Sequence, residues 1–253
     1  MSTNPRDHKI GTRKEWLGAR RELLKKEKEL TRANDALTRE RLALPWVKVE
    51  ESYVFDAPDG RKSLADLFGK NSQLIVVHFM FGPGWKEGCV GCSFGADHMS
   101  GPLMHLPHHD VSMAVVSRAP IADIEEYKKR MGWNFQWVSS NTNKFNFDYH
   151  VSFTQEEVKA GRATYNFEEL PISTDELPGY SSFYKNPAGE IFHTYSVFAR
   201  GTEKMNTTYQ YLDMAPLGRN EGEHGNLTQW VKRHDSYNPA ALIDANSLAA
   251  KPR

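Results

Sequence analysis

Apolar and polar positions fall along the chain in blocks of distinct period. Residues 12–43 are charged almost throughout, lack proline, and carry Trp16, Leu23, Leu30 and Leu37 at intervals of seven, with Leu17 and Leu24 beside them. This pattern predicts one helix of about 45–50 Å with a narrow apolar stripe. Thr12 with Glu15 makes a capping box at its start, and Pro45 ends it. Trp46–Phe55 alternates as a strand does, Ala57–Gly60 turns the chain, and Arg61–Phe68 predicts a short helix capped by Ser63.

The middle of the chain changes character. Leu74–Phe81 is a continuous apolar run, rich in β-branched and aromatic residues, and predicts a buried strand. Gly82, Pro83, Gly84 and Gly88 break it into a loop. A helix over the following residues, a strand at Val111–Ser117, a helix at Ile121–Met131 and a strand at Phe135–Ser140 complete a strand–helix–strand–helix–strand series. Such a series predicts an α/β fold whose largely parallel sheet is covered by helices on both faces.

Residues 141–178 are irregular, with one amphipathic helix near Thr154–Gly161 and an acidic run from Phe167 to Leu177, and are expected to be an insertion. Tyr180–Lys185 and Glu190–Phe198 flank Asn186-Pro187-Ala188-Gly189 and predict a β-hairpin. Residues 208–223 are aromatic but aperiodic, Leu227–His234 predicts a closing helix, and the chain from Ser236 onward reads as loose. The expected organisation is a helical arm at 1–44, one domain at 45–235 with its insertion at about 141–178, and a tail at 236–253.

Composition narrows the partners. Thirty-two basic and 32 acidic residues give no net charge, so no global field draws the chain to nucleic acid or to an anionic membrane. No run approaches the roughly 18 apolar residues of a membrane span, and no apolar segment follows a basic one near the N-terminus. These features predict a cytoplasmic protein. The long helix has two readings: an arm packed on the domain surface, or an arm that joins two copies into a homodimer.

The candidate chemistry lies just after the central strand. Cys89 and Cys92 are the only cysteines, at helix-turn spacing beyond a glycine-rich loop, the setting in which a CxxC pair reads as a redox site. At the start of a helix, unpaired N–H groups favour the Cys89 thiolate, while Cys92, one turn deeper, can resolve a mixed disulfide. A zinc site would need two of His98, His105, His108 and His109 as further ligands. Covalent haem attachment fails because Ser93 follows the second cysteine. Two buried, inert thiols are the remaining alternative, but a glycine-flanked loop is a poor place to bury both.

With these pieces placed, the chain resembles the thioredoxin superfamily. It is more closely similar to a bacterial thioredoxin-like family of unknown function (domain of unknown function 899) described as predicted dithiol-disulfide oxidoreductases. The resemblance rests on CVGCSFGAD at 89–97, GYSSFYKNPAGEIFHTYSVFARG at 179–201 and YLDMAPLGRNE at 211–221. It implies a three-layer α/β/α sandwich with a mixed sheet, a terminal hairpin, and thiol–disulfide exchange with a protein or small-thiol substrate, without bound cofactor or metal. Cys89 would then attack and Cys92 resolve. Pro178, before Gly179, occupies the place of the family's cis-proline, although the spacing is one residue long. Gly88 stands where a Trp is familiar, with Trp85 three residues earlier as the candidate shield. His78 holds the proton-carrier position of the central strand. Two further readings are a peroxiredoxin-like peroxide reductase, which would want Thr where Lys86 stands, and a non-catalytic binding module on the same fold.

Overall fold

A computed structural model describes residues 8–219, 221 and 230–238. Helix α1 (Arg13–Leu42) opens with the expected capping box, in which Thr12 and Glu15 each bond the other's backbone N–H. None of its residues is buried, and Trp16, Leu23, Leu30 and Leu37 are all about half exposed or more. The surface-packed reading of this arm therefore does not hold. Its C-terminal end does meet the body, where the Arg41 guanidinium lies 4.7 Å from the ring centre of Tyr195.

The stretch 46–55 is not one strand. It divides into β1 (Val47–Lys48) and the start of β2 (Val54–Ala57), which lie toward opposite edges of a single eight-stranded sheet. Residues 61–68 are likewise split. Gly60–Ser63 forms β3, paired with β2, and only Asp66–Phe68 is helical, as a single 3-10 turn. Ser63 is not the cap of that turn, whose N-cap is Ala65, although its hydroxyl accepts from the Asp66 N–H at 3.2 Å.

The remaining strands are β4 (Gln73–His78), β5 (Val111–Ser117), β6 (Trp137–Ser139), β9 (Gly179–Lys185) and β10 (Ile191–Phe198), with a separate hairpin of β7 (Arg162–Tyr165) and β8 (Glu168–Pro171). The sheet order is β1-β10-β9-β4-β5-β6-β2-β3. β4, β5 and β6 run parallel, and β9 lies antiparallel on the other side of β4. This mixed sheet with its parallel strand–helix–strand core is the thioredoxin-like α/β arrangement.

The side-chain period of two sorts the core into two clusters. Val77, Val115 and Trp137 face one side, where α2 (Val90–Ala96) supplies Ala96 and α4 (Ile121–Arg130) supplies Ile124 and Tyr127. Val76, Val116 and Val138 face the other, against Leu67, Phe68 and Phe145 of the short helix α5 (Phe145–Asp148). Both crossovers, β4 to β5 and β5 to β6, thus lie over one face, as successive right-handed connections stepping the same way must.

The His-rich segment is more regular than expected. Pro102 sits inside α3 (Ser100–His105), and Leu106–His109 forms a 3-10 turn. Within residues 141–178, α6 (Gln155–Ala160) carries its own capping box between Thr154 and Glu157 and ends at Gly161 in the left-handed region. The acidic run instead supplies β8 of the β7–β8 hairpin, which packs Ala163 and Tyr165 against Val151, Phe153 and Phe198. Residues 207–214, aperiodic in sequence, form helix α7 (Thr207–Met214). Of the expected closing helix, 227–229 lie outside the described residues, and Trp230–Arg233 are not helical. Most of the expected loose tail, 239–253, also lies outside them.

Candidate functional site: a dithiol at the end of the central strand

β4 ends at His78, and residues 79–88 form a compact loop before α2. The loop closes on itself, the Cys89 N–H donating to the Met80 carbonyl at 3.0 Å and the Trp85 N–H to Gly82 at 3.2 Å. It is tied to β5 by the Ala119 N–H, which donates to Phe81 at 2.7 Å. Cys89 is thereby placed at the N-cap of α2, at the carboxyl end of the central strands, where open α/β sheets present their ligand sites. Cys92, one turn on, packs into the apolar cluster and accepts the Met80 N–H on its sulfur at 3.5 Å.

Both cysteines are free thiols, and their environments push them apart. The Cys89 pKa falls from its ordinary value to about 6. The largest cause is the hydrogen bond from the Cys92 thiol. Burial opposes it, while the N–H groups of Cys92 and Gly91 and the charge of Arg233 add to it. Cys92 is raised, first because its proton is engaged by Cys89, then by burial, by the Cys89 charge itself and by the charge of Glu176. Cys89 is thus the more acidic of the two thiols and Cys92 the less acidic.

Glu176 belongs to the acidic run, where nothing in the sequence distinguishes it from its solvated neighbours. It is 1% exposed. Ser152 and Glu176 pair as an isolated β-bridge, and the Ser152 hydroxyl donates to the carboxylate at 2.8 Å. The Arg118 Nε donates to the other oxygen at 2.5 Å, and Arg118 also reaches Asp175 at 3.1 Å. The Glu176 Cγ would lie 3.4 Å from a Cβ on Gly82, which puts the carboxylate's stem against the loop that carries the cysteines. Burial raises the Glu176 pKa to about 7 despite Arg118 and Ser152, which pull it down.

The other expected site residues separate. Trp85 packs against the same apolar cluster as Cys92, with Nε1 close against Gly82. Gly179 opens β9 and pairs with His78, and a Cβ there would strike the Phe198 ring at 2.5 Å. The peptide preceding Pro178 is trans. The Pro178 carbonyl accepts from the Tyr165 hydroxyl at 2.7 Å, and the same hydroxyl accepts from the Ala199 N–H at 3.1 Å. Gly88 is buried between rings: a Cβ would lie 2.5 Å from Phe79 and 2.9 Å from Tyr127. That contact explains why no tryptophan could precede Cys89 here.

His78 turns away from the cysteines. It shares the face of Val76, stacks 5.9 Å from Tyr149 and lies 5.6 Å from Phe145. Its Nε2 meets Ser181 Oγ at 2.8 Å, and the contacts run on through Ser196 to His193, while its Nδ1 is buried without a partner. Burial lowers its pKa to about 3. The other histidines do not assemble either. His98 is occupied by the Phe94 carbonyl and by Thr208, His105, His108 and His109 are exposed, and no metal-binding group of His, Cys, Asp or Glu occurs among the described residues.

A family model described as "Bacterial protein of unknown function (DUF899)" matches residues 5–237. The chain belongs to that family. A search of curated proteins found no match. Among solved structures, the bacterioferritin comigratory protein of Xanthomonas campestris is 11% identical with a TM-score of 0.43, covering 67% of this chain and 99% of its own. Peroxidoxin BcpB of Mycobacterium tuberculosis is 12% identical with a TM-score of 0.39, covering 68% and 96%. A candidate thiol:disulfide interchange protein DsbE of Chlorobium tepidum is 13% identical with a TM-score of 0.41, covering 70% and 100%. No helix among the described residues is long and apolar enough to cross a membrane.

Proposed function

We propose that this protein is a cytoplasmic thiol–disulfide oxidoreductase in which Cys89 attacks and Cys92 resolves. The observation that carries the reading is the placement of Cys89 at the start of α2 with Cys92 one turn on, packed into the apolar cluster. The lowered Cys89 thiol and the raised Cys92 thiol agree with it, and the Glu176 charge acts on the second. The Cys89 thiolate attacks one sulfur of a substrate disulfide, forming a mixed disulfide and expelling one substrate thiolate, which takes a proton from solvent. Glu176, ionised in part of the molecules at neutral pH, accepts the Cys92 proton. The Cys92 thiolate then attacks Cys89, closing the intramolecular disulfide and expelling the second substrate thiolate, which recovers that proton. Two electrons pass from the dithiol to the substrate, and run the other way when a partner dithiol reduces the protein. Proteins or small molecules bearing a disulfide are the substrates on this reading. Peroxide reduction would begin from the same thiolate, but Lys86 stands where a peroxide site wants Thr.

The exposed seven-residue stripe of α1 supports the second half of the reading, a homodimer formed through that arm.

Equilibration in glutathione buffers, combined with pH-dependent alkylation, tests the redox centre. The expected result is a reversible intramolecular disulfide and a Cys89 that titrates near 6. If no such disulfide forms, or if both thiols titrate at or above the ordinary value of about 8.5, the protein is a binding module on this fold.

A further inference from the structure

The segment Trp230–Ser236 lies outside the sheet and its crossovers, yet it is fastened onto the cysteine helix. Val231 is buried with Phe94 and Tyr209, and Trp230 packs 5.8 Å from the Phe94 ring. His234 Nδ1 lies 2.7 Å from the Asp97 carboxylate oxygen that also accepts from Trp133 Nε1. Asp235 takes Arg130 Nε at 2.7 Å.

Between these anchors, Arg233 points inward with its side chain 18% exposed. Its Nη2 donates to the Gly88 carbonyl at 2.6 Å, its Nε to the Tyr127 hydroxyl at 2.9 Å, and its Nη1 lies 3.0 Å from Glu87. The chain of donors has one direction. Ser93 Oγ gives its proton to the Cys89 carbonyl at 2.8 Å, so at 2.8 Å it must accept from Tyr127, whose oxygen accepts from Arg233. One guanidinium therefore holds the carbonyl before Cys89 directly and the carbonyl of Cys89 through two hydroxyls.

We propose that Arg233 is a positioning residue of the dithiol site, a cation brought in by the C-terminal segment to fix the backbone on both sides of Cys89 and to favour its thiolate. The assignment rests on the reading of Cys89 as the attacking thiol. Arginine suits the task because its planar fork reaches a carbonyl, a hydroxyl and a carboxylate from three separate nitrogens, where a lysine has one. The groups that act on Cys89 are the Cys92 thiol, the Cys92 and Gly91 N–H groups of α2 and the charge of Arg233, and Tyr127 from α4 reaches its carbonyl through Ser93. Glu87, two residues before Cys89, is engaged by both Arg130 and Arg233. The Arg233 charge does act in the stated sense on Cys89.

The test is iodoacetamide alkylation of the reduced full chain against pH, for the wild type, R233Q and R233K, with the fold checked by circular dichroism. R233Q should raise the Cys89 pKa by about 1 unit, the low end for loss of a nearby opposite charge. Alkylation at pH 6.5 should therefore slow several-fold and remain unchanged at high pH. R233K should fall between R233Q and the wild type, because it returns the charge without the fork. Coincident profiles for R233Q and the wild type would overturn the assignment. A readout independent of any Arg233 variant is the Arg233 Nε–H resonance. In the wild type it should move with the Cys89 titration and in C89S stay fixed; a resonance indifferent to pH in the wild type would overturn the assignment too. Failure of the wild type to form a reversible disulfide in glutathione buffers would instead remove the oxidoreductase reading, and the thiol profiles would still decide the role of Arg233.

Discussion

The Glu176 carboxylate stands near enough to Cys92 to disfavour its thiolate, and the same carboxyl is held up at about 7 by burial. A base in that state can take a proton from the raised thiol and return it within one cycle, because neither of its forms is rare at neutral pH. The arrangement joins residues from two distant parts of the chain, the cysteine helix and the segment just before β9.

Glu176→Gln should slow the second step and spare the first. It keeps the size and the Ser152 contact but removes the proton acceptor, so closure of the Cys89–Cys92 disulfide from a mixed disulfide should fall about 100-fold, the low end for a general base. Single-turnover release of the two substrate thiols separates the steps. Equal slowing of both releases would count against the assigned role.

Stability should depend on pH through the same residue. The folded Glu176 pKa, about 7, lies above its ordinary 4.5, so the folded state holds the proton more tightly than the unfolded state. That contribution is fully present below about 4.5 and is lost as pH rises through about 7, an order-of-magnitude change of about 3 kcal/mol. His78 acts with the opposite limits: its pKa is depressed to about 3, so its share is present above the ordinary 6.5 and lost as pH falls toward 3. Denaturation midpoints of the wild type and E176Q, compared from pH 5 to pH 8, should move in favour of E176Q as pH rises. A constant difference across that range would show that Glu176 is not buried as described.

Gly88→Ala should be destabilising by about 1–3 kcal/mol, the usual cost of overpacking. The added methyl has no free direction, since Phe79 and Tyr127 lie within 2.9 Å of it. Because Gly88 also supplies the carbonyl that Arg233 holds, the substitution should raise the Cys89 pKa as it lowers the melting temperature. Alkylation and thermal unfolding measured on one preparation check both effects.

The apolar stripe of α1 gives a prediction about assembly. Leu23→Glu with Leu30→Glu places charges on a face that buries nothing within the chain, so the folded domain should be unaffected. Sedimentation should show the wild type as a dimer and the double variant as a monomer. A monomeric wild type would remove the homodimer reading.

Much of the architecture was legible in the sequence because it is local. The capping box of α1, the run Leu74–His78, the break at Gly82–Gly88, the two cysteines one turn apart and the hairpin about Asn186–Gly189 all follow from period, propensity and turn chemistry within a few residues. Where local preference was weak, tertiary contacts decided. Residues 46–55 alternate like one strand, yet pairing with β10 and with β6 pulls the two ends toward opposite edges of the sheet.

The sequence by itself determined which two thiols could meet and that the first would stand at a helix start. Tertiary structure alone decided what surrounds them. His78 shares a face with Val76 by simple alternation, but which face the cysteine helix would cover depends on the handedness of the crossover. Glu176 reads as one solvated acid in an acidic run until the bridge to Ser152 buries it. Arg233 reads as one surface cation until Val231 anchors its segment beside Phe94. Burial and electrostatic reach are properties of residues far apart in sequence, and they set the proton affinities on which the proposed chemistry depends.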